Sequence, residues 1–227
     1  MPPFDLYIGW DSREQDAFRV ATESLFANTK TPVNVYPLSQ NWLREAGHYW
    51  RPNDPLSSTE FSFTRFLVPY LNEFKGWALY CDCDFMFRRD IAKLFELRDD
   101  RYAVMCVKHD YRPKEEFKMD NVRQRPYERK NWSSLMLFNC AHEQIKKLMP
   151  HDVNTQTGLH LHQFQWLTDD AIGELPIEWN YLEGWHTAED CADPAAVHFT
   201  RGGPWFKNYE NVEYATEWKR YASIARI

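Results

Sequence analysis

Trp77-Ala78-Leu79-Tyr80-Cys81-Asp82-Cys83-Asp84-Phe85-Met86-Phe87 is an apolar run interrupted by two carboxylates one residue apart. If the run is a strand, its period of two sends Asp82 and Asp84 to the same face, so two negative charges meet where the chain leaves the sheet. Such a pair calls for a cation. Three readings are open. An Asp at a strand end can cap the segment that follows, which accounts for one Asp better than for two. Cys81 and Cys83 offer soft zinc ligands, but they would face away from the carboxylates, and no second cysteine pair follows. Magnesium and manganese take oxygen ligands and are commonly shared between carboxylates and the phosphates of a nucleotide, and this reading uses both aspartates.

Working outward from that run, strands and helices alternate. Leu6-Tyr7-Ile8-Gly9-Trp10 reads as a buried strand, and the apolar spacing of Ala17, Val20, Leu25 and Phe26 predicts a helix over 15–27. A second strand over 33–38 is bracketed by Pro32 and Pro37. Residues 39–58 read as a loop with at most one short helix. Phe63, Phe66, Leu67, Tyr70 and Leu71 predict an amphipathic helix over 59–74, bent at Pro69. A short helix over 91–97 follows the central strand, and strands over 102–107 and 134–139 are continuous apolar runs suited to a covered sheet. Between those two strands lies a polar connection, 108–132, of a length that is often functional. A helix over 142–148 closes at Pro150, residues 169–175 open as a helix, and 175–180 reads as an extended edge segment. The pattern predicts a three-layer α/β/α sandwich on a mostly parallel sheet, with ligands gathered at the carboxyl ends of its strands.

Composition narrows the function. The chain has 227 residues, enough for one domain with a substantial core, and a formal net charge of −6, which argues against binding nucleic acid. No apolar segment is long enough to span a bilayer and no secretory signal is visible, so a cytoplasmic protein is expected. The five cysteines make an odd set without scaffold spacing, which predicts reduced thiols. An aromatic content of 16%, with ten Trp and twelve Tyr, suits either a broad core interface or a carbohydrate surface.

The acidic run Tyr80-Cys81-Asp82-Cys83-Asp84-Phe85 resembles the DxD motif of nucleotide-sugar-dependent glycosyltransferases with the GT-A fold. The resemblance is specifically to family 8, the retaining group that includes glycogenin and bacterial galactosyltransferases. Further pieces fall in that family's order: the opening strand and turn through Asp11, the helix segment Phe63-Thr64-Arg65-Phe66, the run Trp132 to Asn139, Leu175-Pro176-Ile177-Glu178-Trp179-Asn180, and Val197-His198-Phe199. The resemblance implies a single GT-A domain, with 1–107 as the nucleotide and metal half and 108–227 as the sugar and acceptor half.

It further implies a hexosyltransferase that moves a sugar from a UDP-sugar to a glycan or other hydroxyl acceptor, with retention. Asp82, Asp84 and His198 would hold manganese or magnesium. Gly9, Trp10 and Asp11 would meet the base and ribose, and Arg65 would stand near the acidic pair and the donor. Cys83, Ser133 and Ser134 would line the donor site, and His162-Gln163 would lie near the acceptor face of the donor sugar. Apart from the resemblance, His109-Asp110 directly follows the strand ending at Val107, at the carboxyl edge where substrate-contacting residues collect, with a structural Asp turn as the other reading. One departure from the family concerns the diphosphate. In His198-Phe199-Thr200-Arg201-Gly202-Gly203-Pro204-Trp205, Gly203 stands where the family has a phosphate-contacting Lys, which leaves Arg201, Lys207 or the backbone N–H groups of Gly202 and Gly203 to hold it. Alternatives are a nucleotidyltransferase of similar fold, for which the turn after the first strand is a poor match, and a carbohydrate-binding module without turnover.

Overall fold

The computed structural model describes residues 2–52, 57–110 and 128–227. Among these, six strands form one sheet in the order β2-β1-β3-β6-β5-β7, where β1 is Phe4–Trp10, β2 Val33–Ser39, β3 Trp77–Cys81, β5 Val104–Cys106, β6 Leu135–Asn139 and β7 Ile172–Glu174. A smaller sheet, β4-β9-β8, joins Phe85–Phe87, Ala196–His198 and Tyr181–Leu182. Strand β1 pairs in parallel with both β2 and β3. The sheet is mostly parallel, as expected, and is mixed because β6 alone runs antiparallel to both of its neighbours, a reversal the sequence did not reveal. The reason is physical: a strand buried on both faces is apolar throughout whichever way it runs, so its composition carries no direction.

Helix α1 (Gln15–Asn28) connects β1 to β2. The return path to β3 runs through α2 (Gln40–Glu45), a 3-10 turn (Thr64–Leu67) and α3 (Val68–Leu71). These two parallel connections travel in opposite directions along the sheet, and right-handed crossovers then place α1 and α3 on opposite faces, completing three layers. Tyr7, which registers with Tyr80, marks the α3 face, since its hydroxyl donates to Asn72 just beyond that helix. Leu6 and Leu79 register on the other face, both fully buried.

Several predicted elements change form. The amphipathic helix expected over 59–74 is divided into the 3-10 turn and α3, with Pro69 in the first turn of α3, where its missing N–H costs nothing. Residues 143–147 form a 3-10 segment, and Pro150 opens a new helix, α4 (Pro150–Thr155), instead of closing the previous one. The predicted helical start at 169 lasts three residues before β7. The expected edge segment at 175–180 holds a short 3-10 turn, Ile177–Trp179, that leads into β8. Most of the polar connection predicted over 108–132 lies outside the described residues. All five cysteines are free.

The C-terminal helix α5 (Ala215–Ile224) was not anticipated. Its buried residues Ala215, Trp218, Tyr221 and Ala222 follow helical spacing and pack it on α1. Asn28 at the end of α1 donates to the Tyr221 hydroxyl (2.8 Å) and to the Phe87 carbonyl (3.1 Å), while Ser24 accepts from Phe87 N–H (3.0 Å). The first helix and the last thereby clamp β4, the strand that follows the acidic pair.

Candidate metal centre

The carboxyl ends of β1, β3 and β5 and the amino end of β6 meet at one edge of the central sheet, because β6 is antiparallel with Leu135 opposite Cys81. Asp82 continues the β3 ladder by donating its N–H to the Ser134 carbonyl (2.9 Å), after which the chain turns into the smaller sheet. There Phe85 registers with His198, and Phe199 N–H donates to the Asp84 carbonyl (3.0 Å). This antiparallel pairing carries a residue from the far end of the chain to the acidic turn. The His198 ring lies flat on Phe85, with centroids 4.5 Å apart, and its Nε2 is 3.3 Å from Asp84 Oδ2.

One ligand atom each from Asp82, Asp84 and His198 lies within 4.8 Å of the other two, a spacing that one ion can bridge. Two carboxylates with one imidazole suit magnesium or, better, manganese, and the residues fit such an ion. Cys81 and Cys83 are buried in the core, which pushes both thiols well above their ordinary range, and neither joins the cluster. The cysteine-zinc reading is thus not what the geometry supports.

Arg65 is buried beside the pair. Its Nη1 lies 2.9 Å from Asp82 Oδ1 and also donates to the Ser133 carbonyl (2.8 Å). The Tyr80 hydroxyl donates to the same Asp82 oxygen (2.7 Å). Burial pushes the Asp82 carboxyl up, Arg65 pulls against it, and Asp84 adds to the rise. Arg65 therefore orients and partly neutralises Asp82.

The nucleotide-side expectations fare differently. Asp11 is fully buried and faces inward: it accepts from Arg13 Nε (3.0 Å) and Nη2 (2.8 Å) and from the N–H groups of Arg13 and Glu60. Burial alone would raise this carboxyl, but those bonds hold it below the ordinary range. Asp11 shapes the turn and presents no open carboxylate. Gly9 admits the Phe61 ring, which a Cβ would meet at 2.5 Å, so its role in the fold is close packing. Trp10 is half-buried against Phe18, with centroids 5.0 Å apart.

On the other side, Ser133 Oγ lies 2.8 Å from His162 Nδ1, and Ser134 is engaged with Asn180. Burial of the ring pushes His162 down to about 3, with the charges of Arg65 and Arg51 adding to the fall, so this half-buried residue carries a neutral imidazole. Its neighbour Gln163 accepts from Gln165 (2.8 Å). Asp110 is exposed at the end of the β5 segment. Arg201 packs across Gly184, whose φ of +70° suits glycine, and lies 3.9 Å from Glu183. Gly202, at φ +124°, turns the chain beside it. A Cβ on Gly203 would strike the Trp205 ring, and Lys207 is exposed.

Three residues go beyond the site read from the sequence: Glu14 and Asn180 were missed, while His109 was read with Asp110 only as lying at the carboxyl edge. Glu14, just before α1, is 4% exposed, and burial with the neighbouring charges of Asp84 and Asp11 pushes its carboxyl up to about 8. His109 is buried with both ring nitrogens lacking a hydrogen-bond partner, and burial together with His186 and His198 holds it well below the ordinary range. Asn180 touches His198. The Asp-Ser-Arg-Glu turn and the Trp-Asn dipeptide hint at the first and third, but nothing local marks them as neighbours of the acidic pair.

No protein-family model matches the chain. Protein CDI of Arabidopsis thaliana is 49% identical over 219 residues, covering 95% of this chain and 85% of that protein. The chain belongs to the family of Protein CDI. For this CDI-family chain, similar solved structures include the glycosyltransferase GlyE of Streptococcus pneumoniae TIGR4, with a TM-score of 0.65 at 15% identity over 99% of the chain. The chain spans 62% of the length of GlyE. The galactosyltransferase LgtC, solved with donor and acceptor sugar analogs, gives a TM-score of 0.61 at 14% identity over 97% of this chain and 96% of its own. Mouse xyloside xylosyltransferase 1 gives 0.53 at 13% identity over 89% of this chain. At such identities the likeness concerns architecture: the CDI-family chain has the GT-A type of α/β fold, with a mixed six-stranded sheet.

Proposed function

We propose that the protein is a metal-dependent glycosyltransferase that transfers a sugar, with retention, from a UDP-sugar to a hydroxyl acceptor, in the manner of family 8. The observation that carries this reading is the convergence of Asp82, Asp84 and His198 at the carboxyl edge of a GT-A type sheet. A bound manganese ion would supply Lewis-acid neutralisation of the departing nucleoside diphosphate. Asp82 and Asp84 would offer carboxylate oxygens to it and His198 its Nε2, the first two from the N-terminal half and the third from the C-terminal half.

The remaining residues then take supporting parts. Arg65 holds Asp82 in one orientation through its short ion pair and its bond to the Ser133 carbonyl. The Arg201 guanidinium and the backbone N–H groups at Gly202 and Gly203 lie just beyond His198 in sequence and would offer positive charge and donors to the diphosphate, doing the work of the absent Lys. Trp10 is half-buried at the end of β1 and would offer a ring face to the uracil base. Gln163 and Asp110 would lie toward the reacting sugar and the acceptor. Calorimetric titration of UDP with and without manganese, followed by assay of UDP release from a panel of UDP-sugars, tests the reading. Metal-linked binding with slow donor hydrolysis is expected. Binding without hydrolysis would mark a module, and release of pyrophosphate from nucleoside triphosphates would mark a nucleotidyltransferase.

A further inference from the structure

Behind His198 a line of buried hydrogen bonds leads away from the cluster. His198 Nδ1 lies 3.0 Å from Asn180 Oδ1, Asn180 Nδ2 donates to Ser134 Oγ (2.9 Å), and Ser134 Oγ donates to the Asn131 carbonyl (2.7 Å). His198, Asn180 and Ser134 are 1%, 0% and 3% exposed, so water does not substitute along the line.

The polarity of this line is fixed from its far end. A backbone carbonyl can only accept, so at 2.7 Å the single hydroxyl proton of Ser134 must point at Asn131. Ser134 Oγ can then only accept from Asn180, which sets the amide with its nitrogen toward Ser134 and its oxygen toward His198. That oxygen can only accept, so Nδ1 of His198 carries a proton. The lone pair of the neutral ring is thereby directed to Nε2, the atom that faces Asp84.

We infer that Asn180 and Ser134 are positioning residues that lock His198 in the Nδ1–H tautomer, so that Nε2 is presented to a metal ion as a ligand. The inference rests on the metal-centre part of the proposed function and gives a specific task to two residues outside the ligand set. Outer partners of this kind fix the ring orientation of ligating histidines, and their loss costs roughly 10–100-fold in metal affinity.

The test uses the full chain and two readouts. Long-range proton–nitrogen NMR on histidine-labelled protein without metal reports which ring nitrogen of His198 is protonated, and calorimetry with manganese alone reports affinity. The wild type is expected to show the proton on Nδ1. Asn180→Leu should lose roughly 10–100-fold in manganese affinity. Ser134→Ala frees the Asn180 amide to turn, and should give the Nε2–H form with a similar loss. Asn180→Asp keeps an acceptor opposite Nδ1 and should keep the tautomer with affinity no weaker than wild type, an outcome that a purely structural role for the amide would not give. A proton on Nε2 in the wild type, or wild-type affinity in Asn180→Leu, overturns the inference, as does a wild type that binds no manganese. A chain that binds manganese through the Nδ1–H form yet ignores every nucleotide sugar leaves the inference standing and removes the proposed activity alone.

Discussion

Glu14 and Asp84 show how far single side chains set the behaviour of this edge. Glu14 has a carboxyl pushed up to about 8 by burial and by Asp84 and Asp11. Between its ordinary value of 4.5 and about 8 the folded chain keeps a proton that the unfolded chain has released, so folding loses stability as pH rises through that window. Glu14→Gln is therefore expected to be near neutral at pH 4 and to stabilise the metal-free protein at pH 8 by a few kcal/mol at most, since each tenfold change in proton affinity is worth about 1.4 kcal/mol. Denaturant titrations at the two pH values check this, and parallel curves for variant and wild type would refute it. For Asp84→Asn, manganese affinity should fall by at least the roughly 10–100-fold that losing an outer partner costs, with the far-UV circular dichroism spectrum unchanged.

Individual residues also mark where sequence reading stops. Asp82 and Asp84 stand out because alternation along one strand places them together, and His198 was reached through resemblance to a family pattern. Glu14 gave no such signal, since its burial beside Asp84 depends on α1 packing against β4, the strand that follows Asp84. Asp11 was legible as a turn residue but not as one already occupied by Arg13 and Glu60.

At the level of elements, β1 is positioned by what its glycine lets in. A methyl group at Gly9 would sit 2.5 Å from Phe61 Cγ, and Phe61 is 1% exposed, so the ring has little room to retreat. Gly9→Ala should cost roughly 1–3 kcal/mol as an overpacking substitution, measurable by urea unfolding. Pairing it with Phe61→Leu should cost less than the sum of the two single losses, because the residues touch. Among the strands, β1, β2, β3, β5 and β6 could be read directly from apolar runs and turn residues. The short strands β4, β8 and β9 could not, because two or three residues carry too little periodicity and exist as strands only through one another. The reversed direction of β6 was equally hidden, and it is what delivers Ser133 and Ser134 to the same edge as Asp82.

For the whole molecule, no helix among the described residues is long and apolar enough to cross a membrane. Asp11, Glu14, Asp82 and Asp84 crowd the edge: beyond burial, Asp84, Asp11 and Asp82 each push the Glu14 carboxyl up, and Asp84 pushes Asp82 the same way. An ion that binds only the folded chain should relieve that crowding and raise the unfolding temperature with its own concentration. At one hundred times the dissociation constant the gain is about 2.7 kcal/mol. Thermal melts across a manganese series, reversed by a chelator, check this, and melts insensitive to manganese would argue against an ion at this edge.

The pairing of β4 with β9 has a consequence for how the protein is made. Two of the three ligands sit before the middle of the chain and the third arrives with a strand close to its end, so the cluster closes through one of the most non-local contacts in the fold. A chain still on the ribosome can fold its first β-α-β unit while Asp82 and Asp84 await their imidazole. Loading of an ion at this cluster would thus be a late event in biogenesis, and a nascent chain stalled before Ala196 should hold manganese no better than a pair of surface aspartates does.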